Sequence, residues 1–355
     1  MSDYKLLIGG KLVDGDATMD VINPATEEIL AICPRGSERQ LNEAVAAGKK
    51  AFKVWAKTPM AERRACVMKL ADAIEARLDE FARLLTQEQG KPLSESTAEI
   101  AYTSAFLRYL ASLDLEGRLI EDNDNRRVEM RRKPLGVVGC IIPWNFPLLM
   151  LAWKWGPALA CGNTVVLKPS EYTPLTTLKL GQLLCGVLPP GIVNVVHGTG
   201  GVTGDALINH PRVEMISLTG SIATGRKVLE AASRQIRRTH LELGGKAPVV
   251  VFDDADLAEV VEGIKVFGYY NAGQDCTAAC RIYAAPKIYD NLVADLSAAV
   301  STITYGADAG DDADIGPLIN ARQFERVAGF VDRARAARHL EVTAGGAKAA
   351  GGGFF

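Results

Sequence analysis

The stretch from Pro134 to Ala284 constrains the fold most. Short β-rich runs at Gly136 to Ile142, Thr164 to Leu167, Val193 to Val196 and Val213 to Leu218 alternate with segments of helical pattern. Strands separated by helices pair in parallel, and the crossover helices cover both faces of the sheet. The expected class is α/β, with a doubly wound parallel sheet. A second stretch follows the same grammar: a strand at Pro248 to Phe252, a helix from Asp256 and a strand at Cys280 to Ala284. In open sheets of this kind, ligands sit at the carboxyl ends of the strands. The segments just after each strand are therefore where chemistry is expected.

Upstream the pattern is mainly helical. Lys11 to Asp16 reads as a hairpin, with Asp14-Gly15 as its turn. Ser37-Glu38-Arg39-Gln40 has capping-box spacing and starts a helix that presents Leu41, Val45, Phe52 and Trp55 on one face. A second helix follows Thr58-Pro59, with proline at its first position. Its buried stripe is Met68, Ala71, Ile74, Leu78, Phe81 and Leu85, and Gly90 marks its exit. A third covers Ser94 to Leu110. Residues 117–133 are rich in charge and poor in helical period, which fits an exposed β arm or a linker. Farther on, Thr173-Pro174 starts a helix, with threonine as cap and proline at its first position.

Composition excludes several classes. The 355 residues are 48% apolar and 23% charged, with a net charge of −2. That is ample material for buried cores and gives no electrostatic reason to expect nucleic acid. No basic leader with an apolar core opens the chain. The longest apolar stretch, Pro147 to Cys161, is broken by Lys154, Gly156 and Pro157, so no membrane span is expected. Seven scattered cysteines and four unclustered histidines give neither a disulfide framework nor a metal site. The expected setting is the cytoplasm.

Four strand-end or loop segments look unlike plain core. Ile142-Pro143-Trp144-Asn145-Phe146-Pro147 stops a strand sharply; it is either a ligand-facing turn or a rigid turn with a packed tryptophan. Lys168-Pro169-Ser170-Glu171 could hydrogen-bond ribose hydroxyls, or be a solvated turn. Thr219-Gly220-Ser221-Ile222-Ala223-Thr224-Gly225 joins a strand to a helix whose N-terminus suits a pyrophosphate. It lacks the Gly-x-Gly-x-x-Gly spacing, and Arg226-Lys227 stand where a P-loop needs Lys and Ser/Thr, which disfavours an NTPase. Asn271 to Thr277 places Cys276 in a polar, glycine-containing loop, as a candidate nucleophile or an ordinary loop cysteine. Upstream, Glu242 sits between leucines beside Gly244-Gly245. Desolvation there would raise its pKa, as suits a general base; the alternative is a satisfied turn glutamate.

Taken in order, Pro143-Trp144-Asn145, Lys168-Pro169-Ser170-Glu171, Gly220 to Gly225, Glu242 to Lys246 and Gly273-Gln274-Asp275-Cys276 resemble the NAD(P)-dependent aldehyde dehydrogenase superfamily. The resemblance runs from Asn23-Pro24-Ala25-Thr26 to Gly345-Gly346 and so covers nearly the whole chain. Within the superfamily, 240–256 and 268–284 look most like the γ-aminobutyraldehyde (1-pyrroline) dehydrogenases.

The resemblance implies a Rossmann-type cofactor domain over residues 1–243, with the arm at 117–133 used for oligomerisation, and an incomplete α/β thiol domain over 244–355. It implies Cys276 as nucleophile and Glu242 as the base that activates water. Asn145 and the Cys276 N–H would hold an oxyanion, and Lys154 would serve a proton relay from Glu242. Ile142, Pro143, Trp144 and Asn145, together with Lys168, Ser170, Glu171 and Gly201, would line an NAD site. Thr219, Gly220, Ser221, Ile222, Ala223, Thr224 and Gly225 would lie near its pyrophosphate, and Leu243 near its nicotinamide. Glu171 would repel a 2′-phosphate and so favour NAD over NADP.

The implied reaction is oxidation of an aldehyde, with an ω-amino aldehyde such as 4-aminobutanal as the expected substrate. Glu99, Trp153, Tyr270 and Asp275 are candidates to receive its ammonium. The partners expected are this small molecule and further copies of the chain, as a dimer or tetramer, with no nucleic acid, membrane or metal. Family members continue beyond the segment matching Gly345 to Phe355, so the chain is expected to be truncated. It would lack a Glu-x-Phe-Gly-Pro segment and a C-terminal intersubunit strand. The alternative function is an inactive truncated relative that retains at most nucleotide binding.

Overall fold

The computed structural model describes residues 4–115, 117–306, 313–349 and 353–354. Met1 to Asp3 and part of the glycine-rich ending, both used in the sequence reading, lie outside the described residues.

Leu6–Ile8 (β1) and Lys11–Val13 (β2) pair antiparallel. Their turn is Gly9-Gly10, with φ of 62° and 81°. Two successive left-handed residues give the turn whose twist matches the strands, and glycine adopts them without a Cβ clash. The hairpin turn is thus not Asp14-Gly15, which lies in the link from β2 to Ala17–Ile22 (β3). Strand β3 pairs with Ile29–Arg35 (β4).

Helix α1, Glu38–Trp55, carries the expected capping box: Ser37 Oγ accepts from the Gln40 N–H, and Gln40 Oε1 accepts from the Ser37 N–H. The single helix expected after Pro59 is two, Met60–Glu75 (α2) and Leu78–Gln89 (α3). An i→i−3 bond from Arg77 N–H to Ile74 O, 3.1 Å, tightens the end of α2. Pro59 is the cap of α2 and not its first residue. Gly90, at φ 96°, ends α3 as expected, and Leu93–Ser112 is α4.

Residues 118–130 form an exposed antiparallel hairpin, Arg118–Asn123 (β5) with Arg126–Met130 (β6). The α/β stretch then runs Val137–Ile141 (β7), Pro147–Ala160 (α5), Thr164–Lys168 (β8), Leu175–Leu184 (α6) and Val193–Val195 (β9). A π-helical turn at Gly200–Gly204 leads into Asp205–Asn209 (α7), followed by Val213–Gly220 (β10), Ile222–Ser233 (α8) and Arg238–Leu243 (β11). Pro174 takes the cap position of α6 and Thr173 makes no cap bond, so that start lies one residue later than expected. The rest is Ala247–Val251 (β12), Leu257–Tyr269 (α9), a 3₁₀ turn at Tyr270–Gly273, Ala279–Ala284 (β13), Tyr289–Val300 (α10) and Ala321–Ala336 (α11). Asp256 caps α9 by accepting from the Ala258 and Glu259 N–H groups.

The strand order of the main sheet is β11-β10-β7-β8-β9-β1-β2. Strands β10, β7, β8 and β9 are mutually parallel, while β1 joins β9 antiparallel. The expected parallel sheet is therefore its centre, and the N-terminal hairpin extends it on one side. Helices α1, α7 and α8 pack as one layer, and α5 and α6, backed by α2, as the other. Strand β7, its two neighbours β10 and β8, and β9 beyond β8 are mostly buried, as strands covered on both faces must be. From β7 the chain moves to β8 and β9, then returns to the other side of β7 as β10. The crevice between the carboxyl ends of β7 and β10 is thus the topological switch point, where such sheets bind ligands.

The chain divides into two units: Met1–Val21, Ala31–Phe81 and Ala98–Glu242 form the first, and Ile22–Leu30, Ala82–Thr97 and Leu243–Phe355 the second. Two early segments thus join the later unit, which periodicity along the chain does not reveal. In the second unit β12 and β13 pair in parallel, and Val251, Val261, Ile288 and Leu292 form its core.

Candidate active site

In the first unit the expected segments follow neighbouring strands. Leu218 of β10 pairs with Ile141 of β7, and Ile141 with Lys168 of β8. The Ile142 N–H donates to Lys168 O at 3.0 Å, which carries the ladder one residue past β7. Ile142 is buried, and Pro143, Trp144, Asn145 and Phe146 are half-buried. The sharp stop has a helical cause: Pro147 is the first residue of α5, where its missing N–H is not needed.

The cap of α5 comes from elsewhere in the chain. Phe146 supplies no side-chain cap, and Glu99 Oε1 of α4 accepts from Leu148 N–H (3.1 Å) and Leu149 N–H (3.2 Å). A carboxylate here satisfies two otherwise unbonded donors and faces the positive end of the helix dipole. Glu99 is 3% exposed. Its geometry fits a cap that steadies the turn carrying Asn145, and does not fit an acid offered to a substrate ammonium.

At the end of β8, Lys168 is buried, and its Nζ donates to Pro169 O at 2.7 Å. Burial lowers its pKa to about 8, against the opposing pull of Glu171. Glu171 Oε2 accepts the Gly200 N–H at 3.1 Å, which ties the end of β8 to the π turn after β9. Ser170 Oγ accepts the Tyr172 N–H. A Cβ at Gly200 or Gly201 would meet nothing within 4 Å, so open space lies beside Glu171's anchor.

At the end of β10, Ser221 caps α8, accepting the Thr224 N–H at 3.1 Å. Ser221, Ile222, Ala223 and Thr224 are exposed, Gly220 half-buried and Gly225 buried. The buried Thr219 hydroxyl has no hydrogen-bond partner among the described residues. A buried hydroxyl left unpaired beside an exposed helix N-terminus at a switch point is consistent with a bound polar ligand. These residues therefore fit a dinucleotide: Lys168 and Glu171 toward a ribose, and the α8 N-terminus toward a pyrophosphate.

A second cluster in the same unit surrounds Lys154 on α5. Its Nζ donates to Ser217 Oγ of β10 at 3.3 Å. Ser217 Oγ lies 2.9 Å from His240 Nδ1, and His240 Nε2 lies 3.2 Å from Glu242 Oε1. Burial lowers the Lys154 pKa to about 8, while Cys140 and Glu242 pull it up. Burial pushes the Cys140 thiol up to about 12, so it stays a neutral core residue. The desolvation expected for Glu242 is not found: its side chain is 46% exposed. Leu243, at the end of β11, is half-buried.

In the second unit Cys276 is exposed. The turn before it is unusual: Asn271, Ala272 and Gly273 have φ of 53°, 55° and 71°. Two non-glycine residues in the left-handed region cost free energy and persist only where their surroundings hold them. The surroundings here do. The buried Asn271 N–H lies 3.0 Å from each Glu95 carboxylate oxygen, and its Oδ1 accepts from Gln89 Nε2 at 2.9 Å. Gln274 Nε2 donates to Asn271 O and Pro317 O, and its Oε1 accepts the Ile319 N–H. A Cβ on Gly245 would stand 3.3 Å from Cys276 O, so this glycine permits a close backbone approach.

Of the remaining substrate candidates, Tyr270 and Asp275 belong to the second unit and Trp153 to the first. Asp275 accepts from the backbone and hydroxyl of Thr277. Tyr270 is half-buried at the start of the 3₁₀ turn. Trp153 is exposed and packs 5.5 Å from Phe106, centroid to centroid; Phe106 in turn touches Tyr102 and Tyr109. No local pattern in the sequence marks this aromatic face on α4 and α5, nor Ser217, Glu95 or Gln89. His240 alone carried a local signal, since residues two apart on a strand share a face. No cluster of metal-binding side chains occurs among the described residues, and none of their helices is long and apolar enough to cross a membrane.

Comparison with known proteins agrees across sequence and structure. The aldehyde dehydrogenase family model matches residues 12–355. The mitochondrial succinate-semialdehyde dehydrogenase of Arabidopsis thaliana is 42% identical over 334 residues, covering 92% of this chain and 63% of that protein. The phenylacetaldehyde dehydrogenase of Pseudomonas fluorescens is 41% identical over 339 residues, covering 91% of this chain and 67% of that protein. The NAD+ complex of an aldehyde dehydrogenase from Bacillus cereus superposes with a TM-score of 0.96 at 37% identity, covering 99% of this chain and 73% of that one. The chain thus spans about two thirds of the length of these relatives.

Proposed function

The chain belongs to the aldehyde dehydrogenase family, and on that premise we propose that it oxidises an aldehyde to the carboxylate through a covalent adduct on Cys276. The observation that carries this reading is the exposed Cys276 thiol on a loop whose left-handed turn is held by the buried Glu95 and Gln89 and the half-buried Gln274. An ordinary surface cysteine needs no such support.

In this reading residues 1–243 bind the dinucleotide and 244–355 carry the thiol. Cys276 adds to the aldehyde carbon as a thiolate. The Asn145 side chain and the Cys276 N–H hold the oxyanion that forms, a preorganised pair of donors. When bound, the nicotinamide dinucleotide supplies the hydride acceptor. The oxidised adduct is a thioester on Cys276. Glu242 takes a proton from the water that hydrolyses it, so one hard oxidation becomes two easier steps. Lys168, Ser170 and Glu171 hold the adenosine ribose. Glu171 favours NAD, because its carboxylate accepts hydroxyls and repels a 2′-phosphate.

The substrate class proposed is an ω-amino aldehyde such as 4-aminobutanal. With Glu99 committed to α5, the support for a cation falls on the Trp153–Phe106 aromatic face, which attracts an ammonium through its ring electrons, and on Asp275. The same face favours an uncharged aromatic aldehyde as the second reading. We further propose a homodimer or tetramer using the β5–β6 arm. The cytoplasm is the proposed setting, since all seven cysteines are free thiols.

The test is a spectrophotometric assay of the purified protein with NAD or NADP and four aldehydes: 4-aminobutanal, butanal, phenylacetaldehyde and succinic semialdehyde. Reduction of NAD that Cys276→Ala abolishes supports the reaction; no reduction with any aldehyde overturns it. A higher kcat/KM for phenylacetaldehyde than for 4-aminobutanal replaces the first substrate reading with the second.

A further inference from the structure

We propose that Asp275 holds the Cys276 thiol in its neutral form in the resting protein, its carboxylate being locked beside the cysteine's own backbone by Thr277. The inference rests on the reading of Cys276 as the nucleophile and assigns the residue that restrains it. Asp275 acts through the thiol and is not itself a reacting group.

The lock is local and doubly bonded. Asp275 Oδ1 accepts the Thr277 N–H at 2.9 Å, and Thr277 Oγ1 lies 2.9 Å from each carboxylate oxygen. A side-chain oxygen bonded to the N–H two residues on makes an Asx turn, and Cys276 is its central residue. The other side is fixed as well. Gln274 donates through Nε2 to Asn271 O at 3.1 Å and to Pro317 O at 3.4 Å, and its Oε1 accepts the Ile319 N–H at 3.0 Å. Its own N–H donates to Asn271 O at 3.0 Å. With residues 274 and 277 both tied, the carboxylate stays beside the turn that carries the thiol.

Covalent geometry bounds the distance. Neighbouring Cα atoms are about 3.8 Å apart, so an aspartate carboxylate and the sulfur of the next residue stand at most about 9 Å apart. That is within a Debye length of about 10 Å at moderate ionic strength. A negative charge at this range disfavours the thiolate, which is the form that attacks. Cys276 is exposed and Asp275 half-buried, so solvent weakens the repulsion without abolishing it. A thiol kept neutral reacts slowly with stray electrophiles.

The other charged groups near this loop oppose the restraint or are engaged elsewhere. A Cβ on Gly245 would stand 3.3 Å from Cys276 O, which brings Lys246, the next residue, close to the loop. Arg281 of β13 donates through Nε to Lys246 O at 2.9 Å. On the same strand, Cys280 Sγ lies 4.0 Å from Ala247 O. Glu95 is engaged by the Asn271 N–H, and Pro317, Leu318 and Ile319 carry no charge. The two cations favour the thiolate and are unaltered by a change at Asp275, so variants there isolate the carboxylate.

The test is the pH profile of alkylation by iodoacetamide, read by peptide mass at Cys276, in the wild type, Asp275→Asn and Asp275→Glu. Asparagine keeps an oxygen for the Thr277 N–H and removes the charge. Glutamate keeps the charge and changes the turn. The midpoint is expected to fall by about half a unit to one unit in Asp275→Asn and to stay near the wild-type value in Asp275→Glu. At pH 7 Asp275→Asn should therefore be alkylated about two- to fourfold faster than the wild type. An unchanged midpoint in Asp275→Asn would overturn the proposal. So would an equal fall in both variants, which would assign the effect to the shape of the turn and not to charge. The alkylation uses neither cofactor nor aldehyde. An absence of NAD reduction in the turnover assay would therefore sink the reading of the reaction and leave these midpoints standing.

Discussion

Both carboxylate oxygens of Glu95 lie 3.0 Å from the backbone nitrogen of Asn271, five residues before Cys276. The contact is buried, and it fixes the first of three left-handed residues in the turn that leads to the thiol. Removing an acceptor from a buried donor costs about 1–3 kcal/mol. Glu95→Ala should therefore lower stability by that amount in urea unfolding, and should change the rate at which iodoacetamide alkylates Cys276, read by peptide mass. Unchanged stability together with an unchanged alkylation rate would show that the turn holds itself.

Glu99 predicts a different split. Glu99→Ala leaves Leu148 and Leu149 without their acceptor and should cost about 1–3 kcal/mol. Glu99→Gln keeps an acceptor oxygen and should restore most of it. Neither change should narrow the preference between 4-aminobutanal and butanal. A selective loss of the amino aldehyde in Glu99→Gln would return this residue to the substrate site.

Lys154 makes stability depend on alkaline pH. Burial lowers its pKa from the ordinary 10.5 to about 8. Below pH about 8 both states carry the proton, and the folded state bears the full penalty, about 3 kcal/mol. Between about 8 and 10.5 the folded state has released the proton and the unfolded state has not, so stability rises with pH. Lys154→Met should be more stable at neutral pH and should have a flatter slope in that window. Part of the slope remains, because Lys168 is lowered to about 8 as well. An identical pH slope in Lys154→Met would contradict the assignment.

Glu171 should set the choice of cofactor. Glu171→Gln removes the negative charge and keeps an acceptor for the Gly200 N–H. The ratio of kcat/KM for NADP over NAD should rise roughly tenfold, a change of about 1.4 kcal/mol. A ratio that does not move would place the discrimination elsewhere.

Some of this was legible in the chain and some was not, for physical reasons. The capping box at Ser37, the Asp256 cap and the strand ends at Ile142, Lys168 and Gly220 are local, written within a few residues. The Gly9-Gly10 turn was equally local, but Asp14-Gly15 gave a competing signal. The break at Arg77 was hidden because one apolar stripe runs through both α2 and α3. Partners distant in sequence were out of reach: Gln89 and Asn271 lie 182 residues apart, and Lys154 and Ser217 lie 63 apart. The exposure of Glu242 is not legible from its flanking leucines, because neighbours on a strand lie on the opposite face and do not report on what covers the glutamate.

The central claim is a covalent adduct on one thiol. Butanal and NAD are added to the Glu242→Gln variant, in which water is no longer activated, and the quenched protein is digested and mapped by mass. The account predicts a butanoyl thioester on the peptide carrying Cys276 and on no other cysteine. An unmodified Cys276 in protein that has reduced NAD, or continued reduction after Cys276→Ala, would contradict it.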